Sequence, residues 1–211
     1  MEDLFYMMLH ADVLIGDFVT QYGLLTYLIV FVIIFLETGL VVTNFFPGDS
    51  LLFASGILAS SGDLHLFPLI GLLFVATVIG NTSNYMIGRF IGGHYFKKEN
   101  KKRMLYFKKA SAFYEKHGIK SVMVSRFIPF MRSFIPFFSG TSKMKFWPFT
   151  LANTIGGVLW VVFYILLGYF IGEIPWVKEN LGLVFFAMIV FVILAACFFV
   201  IKIMWKKSLS L

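Results

Sequence analysis

Four long runs of uncharged residues constrain this chain more than any other feature of its sequence. The runs cover residues 18–36, 64–88, 146–172 and 180–201, with the last predicted helix extending to about residue 205. A helix of about 20 residues crosses the hydrocarbon core of a bilayer, which is ~30 Å thick. Hydrophobic residues make up 59% of the 211 residues and charged residues only 14%, which excludes an ordinary soluble domain. The sequence therefore predicts an all-α polytopic membrane protein with four spanning helices.

The stretch between the first two runs is too short and too polar to form another span. Glu37 ends the first run, and uncharged pieces of 11 and 13 residues lie on either side of Asp49. Neither piece is long enough to cross a bilayer, so we predict a re-entrant hairpin with its tip at residues 44–50. Asp49 or Ser50 is expected to cap a helix that begins at Leu51. Pro47 and Gly48 suit the reversal of the chain at this tip. Pro47 has no backbone N–H to leave without a partner, and Gly48 tolerates unusual dihedral angles.

A second broken stretch, residues 121–145, places Arg126 and Arg132 among Phe, Ile and Met. Pro129 and Pro136 are expected to interrupt any regular helix there. In lipid, irregular backbone persists only where it is buried in protein or lines a watery cavity. An arginine at that depth is costly and usually functional, although both guanidinium groups can instead extend to the head groups and only anchor the segment. We predict a second re-entrant hairpin here.

Basic residues set the predicted orientation. Nine of the 18 Lys and Arg residues lie between residues 93 and 120, where an amphipathic helix on the membrane surface is expected. The positive-inside rule predicts this loop and the basic C-terminal tail to be cytoplasmic, and counting the spans backwards from the loop gives a cytoplasmic N-terminus. Each basic residue near the surface should strengthen binding to anionic lipids by about 1 kcal/mol. Membrane lipids rather than nucleic acid are therefore the predicted partners. The two hairpins then enter from opposite faces, as an inverted-repeat transporter requires.

An enzymatic function is not predicted. A lipid phosphatase needs a nucleophile such as histidine near its arginines, but all four histidines lie outside residues 126–140. Ser55 and Ser139 are each followed by glycine but lack the earlier glycine of a G-x-S-G motif. A single cysteine, Cys197, excludes a disulfide within the chain and a cysteine-ligated metal site, and no metal-ligand spacing occurs. We therefore predict no catalytic residue, no metal and no cofactor.

The sequence resembles the DedA family of bacterial membrane proteins over roughly residues 20–172. The resemblance lies in Glu37 and four motifs: FPGDSLLF (46–53), GNTSNYMIGRFIG (80–92), RFIPFMRSFIPFFSG (126–140) and LGYFIG (167–172). It implies one domain over residues 1–211 in the inner membrane, two opposed re-entrant loops, and lipid translocation. Members recycle undecaprenyl phosphate, the cell-wall lipid carrier, or move phosphatidylethanolamine, and distant eukaryotic relatives are lipid scramblases.

Carried onto this chain, the resemblance implies an acidic pair, Glu37 and Asp49, and an arginine pair, Arg126 and Arg132. One departure is Asn81, because many members have an aspartate there, and this speaks against a proton-relay role at that position. A structural role in the hairpins is expected for six residues: Pro47, Gly48, Ser50, Pro129, Pro136 and Gly140. Three polar residues are secondary candidates for the site: Asn81, Asn84 and Arg89. The asparagines can also simply hydrogen-bond to neighbouring helices.

Arginine suits a lipid phosphate because its planar fork donates paired hydrogen bonds and stays charged. Half-helix N-termini after Pro47 and Pro136 can add backbone donors. Glu37 and Asp49 either pair with the arginines when the site is empty or carry protons, and the residues leave both roles open. A structural scaffold would leave these charges without a purpose.

We therefore predict a lipid-phosphate transporter of the bacterial cytoplasmic membrane, with undecaprenyl phosphate returning inward as the first choice of substrate. Proton coupling is an open addition to this prediction. The alternatives are a translocase for phosphatidylethanolamine or another glycerophospholipid, and a proton-coupled antiporter for small cations.

Overall fold

A computed structural model describes residues 11–40, 48–95, 118–128, 131–184, 186–187 and 190, with side chains described in these ranges except at residues 11–21 and 91–95. Every regular element within these ranges is helical, and none of the described residues forms a strand. The elements are α1 (Ala11–Gly39), α2 (Gly48–Ser60), α3 (Leu66–Tyr95), α4 (Lys120–Val124), a 3-10 turn (Ser125–Phe127), α5 (Met131–Thr141), α6 (Phe146–Gly172) and α7 (Pro175–Glu179).

Three of these helices are long and apolar enough to cross a membrane. Their candidate spans are Tyr22–Gly39, Leu66–Phe90 and Phe146–Gly172. The first begins at a kink in α1, where Tyr22 has the non-helical angles φ −123° and ψ 29°. The first three predicted spans are thereby confirmed as membrane-length helices. Most of the fourth predicted span, residues 180–201, lies outside the described residues.

Helix α2, with 13 residues, is too short to span, as the sequence predicts, but it begins at Gly48 rather than at Leu51. The prediction was wrong because it considered only a neighbouring side chain as the N-cap of this helix. Instead, the backbone N–H of Gly48 donates to the distant carboxylate of Glu37, so Asp49 and Ser50 lie inside the first turn. Pro47 and the rest of the predicted tip before Gly48 lie outside the described residues.

Of the two prolines in the arginine stretch, only the first follows a break in the helical backbone of the described residues. Ile128 is extended at φ −111° and ψ 113°, as expected for a residue that precedes a proline. Pro129 itself lies outside the described residues. Pro136, in contrast, lies within α5, so its predicted role in interrupting the helix is wrong. A half-helix N-terminus after Pro136 is wrong for the same reason, since α5 begins at Met131.

Packing explains why α5 tolerates its proline. Pro136 removes one N–H, and with it one backbone hydrogen bond, while its fixed φ still suits a helix. Buried side chains and backbone on both sides of it hold the remaining turns in place: Ser133, Ile135, Phe137, Phe138, Ser139 and Gly140. The burial of this helix therefore outweighs the local preference of a single residue.

The described residues divide between two compact units, one drawn from residues 1–26, 49–66 and 165–211, the other from 27–48 and 67–164. In the first unit, α2 packs against the end of α6 through glycines. A Cβ on Gly56 would lie 2.2 Å from the carbonyl oxygen of Ile165, and one on Gly168 would lie 2.1 Å from that of Phe53. The two backbones therefore touch directly.

The second unit contains the arginine stretch, which packs on α3 through small residues. A Cβ on Gly140 would lie 2.0 Å from the carbonyl oxygen of Tyr85, and one on Gly88 would lie 2.1 Å from that of Phe137. The Tyr85 hydroxyl donates to the carbonyl oxygen of Met144 at 2.5 Å. These contacts fix α5 and the turn that follows it against α3.

Replacing Gly140 by alanine should lower the free energy of unfolding by about 1–3 kcal/mol, because the added methyl group forces two backbones apart. Thermal unfolding in detergent measures the effect. Gly71→Ala is the matched control, because Gly71 is an exposed residue of α3 and a Cβ there meets nothing within 4 Å. Equal stability of the Gly140→Ala variant and the parent chain would contradict this packing.

Candidate functional site

A buried ion pair joins the end of α1 to the start of α5. Arg132 donates through Nη2 to Oε1 of Glu37. The side chain of Glu37 is 0% exposed and that of Arg132 is 14% exposed. Since an uncompensated charge is very costly in such surroundings, the pair constrains both helices.

Glu37 has a second donor at the start of α2. The backbone N–H of Gly48 donates to Oε1 of Glu37 at 3.2 Å, so the carboxylate faces the positive end of that helix. A Cβ on Gly48 would lie 1.6 Å from Oε2 of Glu37. A larger residue at this position would displace the Glu37 carboxylate, which explains the predicted structural role of Gly48.

The guanidinium of Arg132 also lies against an aromatic ring. Its Cζ is 5.8 Å from the ring centroid of Trp160 in α6, and that tryptophan is fully buried. A cation over the face of an indole is stabilised by about 0.5–2 kcal/mol. Arg132 is therefore held from two sides, by a carboxylate and by a π-face.

Arg126 is held differently, by neutral groups. It lies in the 3-10 turn with 4% of its surface exposed. Its Nη2 donates to the side-chain oxygen of Asn153, and to the Asn153 carbonyl oxygen at 3.1 Å. With its amide turned to suit its neighbours, Asn81 accepts from the same Nη2 at 2.8 Å and donates to the Thr38 carbonyl oxygen at 3.1 Å. The Nε of Arg126 is buried and has no hydrogen-bond partner among the described residues.

Both arginines line one small cavity. Its other walls are formed by four residues: Thr38, Asn81, Ser133 and Trp160. The cavity measures about 10 Å³, enough for roughly one water molecule. A phosphate group is larger, so its entry requires the lining side chains to move apart. The structure thus shows two cations beside a cavity that is too small for a phosphate group.

The remaining predicted residues fall outside this cavity. Asn84 is fully buried and donates to the carbonyl oxygens of Ser133 at 2.9 Å and Thr38 at 3.4 Å, so it ties helices together. Arg89 is exposed and donates to the Tyr85 hydroxyl at 2.7 Å. Asp49 and Ser50 are half-buried in the first turn of α2 and belong to the other compact unit.

Four cavity or contact residues were not predicted from sequence: Thr38, Ser133, Asn153 and Trp160. Asn153 is the most informative of them, because it is a fully buried polar residue within an apolar spanning helix. Polar residues in such helices usually hydrogen-bond to a neighbour, and that signal could have identified it. Trp160 carries no comparable signal, since tryptophan is common in membrane helices.

The sequence profile of the VTT domain matches residues 46–170. The chain is 43% identical to protein DedA of Escherichia coli over 198 residues, 92% of this chain and 90% of that protein. It is 41% identical to the uncharacterized membrane protein ML0287 of Mycobacterium leprae over 152 residues, 71% and 68% of the two chains. It is 33% identical to inner membrane protein YghB of Salmonella typhimurium over 156 residues, 73% and 71% of the two chains. No solved structure matches it.

Proposed function

This chain belongs to the VTT-domain (DedA) family of membrane proteins, and from that premise we propose that it transports a lipid phosphate across the bacterial cytoplasmic membrane. The observation that carries the proposal is the convergence of two arginines on one buried cavity. Guanidinium groups bind phosphate oxygens through charge-assisted hydrogen bonds, which are stronger than neutral ones. Two of them together match the charge of a phosphate monoester.

The proposal also gives the broken backbone a purpose. Residues 38–62 and 121–145 form the two re-entrant hairpins of this account, entering from opposite faces between four spans, with both termini cytoplasmic. The extended backbone at Ile128, between α4 and α5, supports the second hairpin because irregular backbone at membrane depth lines a site. Transport rather than catalysis is proposed, since no histidine or cysteine is among the six residues that line the cavity.

Glu37 competes with the substrate in this proposal. Its carboxylate occupies the donors of Arg132 and Gly48 that an incoming phosphate needs. The phosphate must therefore displace it, and protonation of Glu37 would weaken its hold on Arg132 and ease that exchange. Asp49 is retained as the second candidate for proton coupling. A small-cation antiporter has less support, because Glu37 already faces two positively polarised donors.

Undecaprenyl phosphate moving inward is the substrate we propose first, and a glycerophospholipid such as phosphatidylethanolamine is the alternative. Vesicles containing the purified chain separate the two. A prenyl phosphate added to the outer leaflet should become protected from an external, impermeant phosphatase when the wild-type chain is present. A labelled phosphatidylethanolamine in parallel vesicles measures the alternative.

Arg126→Ala should abolish that protection, because Arg126 is the guanidinium of this cavity that pairs with no carboxylate in the described part of the chain. Lys178→Ala is the matched control, since Lys178 is a half-exposed cation paired with Glu173. Movement of phosphatidylethanolamine alone would favour the alternative substrate. Equal protection in vesicles with wild-type chain, Arg126→Ala or no protein would contradict the proposed function.

A further inference from the structure

The two arginines of the cavity differ in the charge that surrounds them. The charge of Arg132 is offset by Glu37, whose carboxylate is fully buried against it. Arg126 is equally deep, but each hydrogen bond that its Nη2 makes to the described residues goes to an amide oxygen of Asn153 or Asn81. Neutral acceptors fix a guanidinium in place without cancelling its charge. Among the described residues that line the cavity, the charge of Arg126 is therefore the one that no carboxylate offsets.

Asn153 is itself fixed at its other end. Its Nδ2 donates to the carbonyl oxygen of Val78 at 3.1 Å and lies 3.4 Å from the hydroxyl of Thr82, both in α3. These acceptors determine which way the amide points, so Oδ1 faces Arg126. The side chain of Asn153 therefore links α3 to the guanidinium of Arg126 in the 3-10 turn.

Two glycines of α6 leave room for the side chain of Arg126 beside that helix. A Cβ on Gly156 would be 3.2 Å from Nε of Arg126, and one on Gly157 would be 3.5 Å from Nη2. The guanidinium is thereby confined on the α6 side, while Arg126 lines the cavity and keeps a buried Nε–H without a partner among the described residues. A buried donor that makes no hydrogen bond is costly to maintain, typically by about 1–3 kcal/mol.

We infer that Arg126 is the anion subsite that is available before Glu37 is displaced, and that Asn153 is the residue that positions its guanidinium. This inference rests on the proposed function. The ligand class is the phosphate oxyanion of a lipid head group. Arg126 receives one phosphate oxygen without displacing any carboxylate. Arg132 becomes available only when the ligand replaces Glu37, so a doubly charged monoester gains more from the site than a singly charged diester.

The test is a double-substitution cycle on the full chain in nonionic detergent, with dodecyl phosphate as the probe at pH 8. Calorimetric titration gives the Kd for wild type, Asn153→Ala, Arg126→Ala and the double variant. Loss of an outer-shell partner weakens ligand binding by about 10- to 100-fold in metal sites, and we expect about 10-fold for Asn153→Ala. In the Arg126→Ala background the same substitution should change the Kd no further, because Asn153 acts through Arg126.

A second variant separates positioning from folding. Asn153→Asp keeps an acceptor for Nη2 and neutralises Arg126, although it loses the Nδ2 donor to Val78. The new ion pair offsets that loss, so the variant should still unfold cooperatively on heating, and it should bind dodecyl phosphate at least 10-fold more weakly than wild type. A purely structural residue would lose stability and affinity together. Ser139→Ala, which removes a buried hydroxyl that bonds only within α5, is the control and should leave the Kd unchanged.

The outcomes distinguish this inference from the function on which it rests. Wild type that binds no dodecyl phosphate would overturn both. Binding that Arg126→Ala weakens but neither Asn153 variant alters would overturn the positioning role alone. An Asn153→Ala effect of equal size in both backgrounds would also overturn it, since the asparagine would then act independently of Arg126.

Discussion

Replacing Glu37 by alanine should lower the free energy of unfolding by about 3–5 kcal/mol, the usual cost of removing one partner from a buried ion pair. The cost arises because Arg132 keeps its charge in a site where 14% of its side chain is exposed. Gly48 loses its acceptor at the same time, which weakens the start of α2. Chemical unfolding in detergent measures the change.

The double variant Glu37→Ala/Arg132→Ala should recover part of this loss, since no unpaired charge then remains. A matched control lies elsewhere in the same chain. Lys178 and Glu173 form an ion pair of 2.9 Å whose side chains are 43% and 44% exposed, so Glu173→Ala should cost less than about 1 kcal/mol. Equal costs for the two glutamates, or additive losses in the double variant, would contradict a buried and coupled pair.

Local sequence patterns were sufficient to predict the three helices that are long and apolar enough to cross a membrane. The run Phe146–Gly172 becomes a helix with those same limits, because an uncharged segment of that length has few alternatives in lipid. Arg126 and Arg132 were predicted among apolar residues, and both have little exposed surface within the protein. The break before Pro129 followed from the restriction that a proline places on the preceding residue.

Interactions between distant residues were beyond the reach of such patterns. Glu37 and Arg132 are separated by 95 residues, and nothing local specifies that they pair. The same applies to the start of α2, where the backbone N–H of Gly48 donates to the distant Glu37 carboxylate. Pro136 misled the prediction for a related reason, since the packing of α5 outweighs the preference of one residue. Local rules therefore located most of the elements. They left the pairing of Glu37 with an arginine as one of two open roles, and they did not say that its partner is Arg132.

Replacing either arginine by lysine should weaken lipid-phosphate binding although the net charge is unchanged. Lysine lacks the planar fork, so it cannot reproduce the hydrogen bonds of a guanidinium. A hydrogen bond to a charged group contributes about 1.5–3 kcal/mol, and losing one corresponds to about 10- to 150-fold in affinity. Alanine should be worse than lysine at both positions.

The two lysine variants should also differ from each other. Lys at position 132 can still pair with Glu37, whereas Lys at position 126 loses the geometry set by Asn153 and Asn81. We therefore expect Arg126→Lys to retain less lipid phosphate than Arg132→Lys. Ligand charge adds a dependence on pH: a phosphate monoester loses its second proton near pH ~6, so its binding should tighten as the pH rises through that value. A phosphodiester lipid should show no such change.

Native mass spectrometry of the purified chain with undecaprenyl phosphate, from pH 5 to 8, tests the central claim most directly. Wild type should retain the lipid, with retention rising above pH ~6 as the second charge forms, while Arg126→Lys and Arg132→Lys should retain markedly less at every pH. Equal retention by all three proteins would contradict the account, because the arginines would then only anchor their segment and the substrate would bind elsewhere.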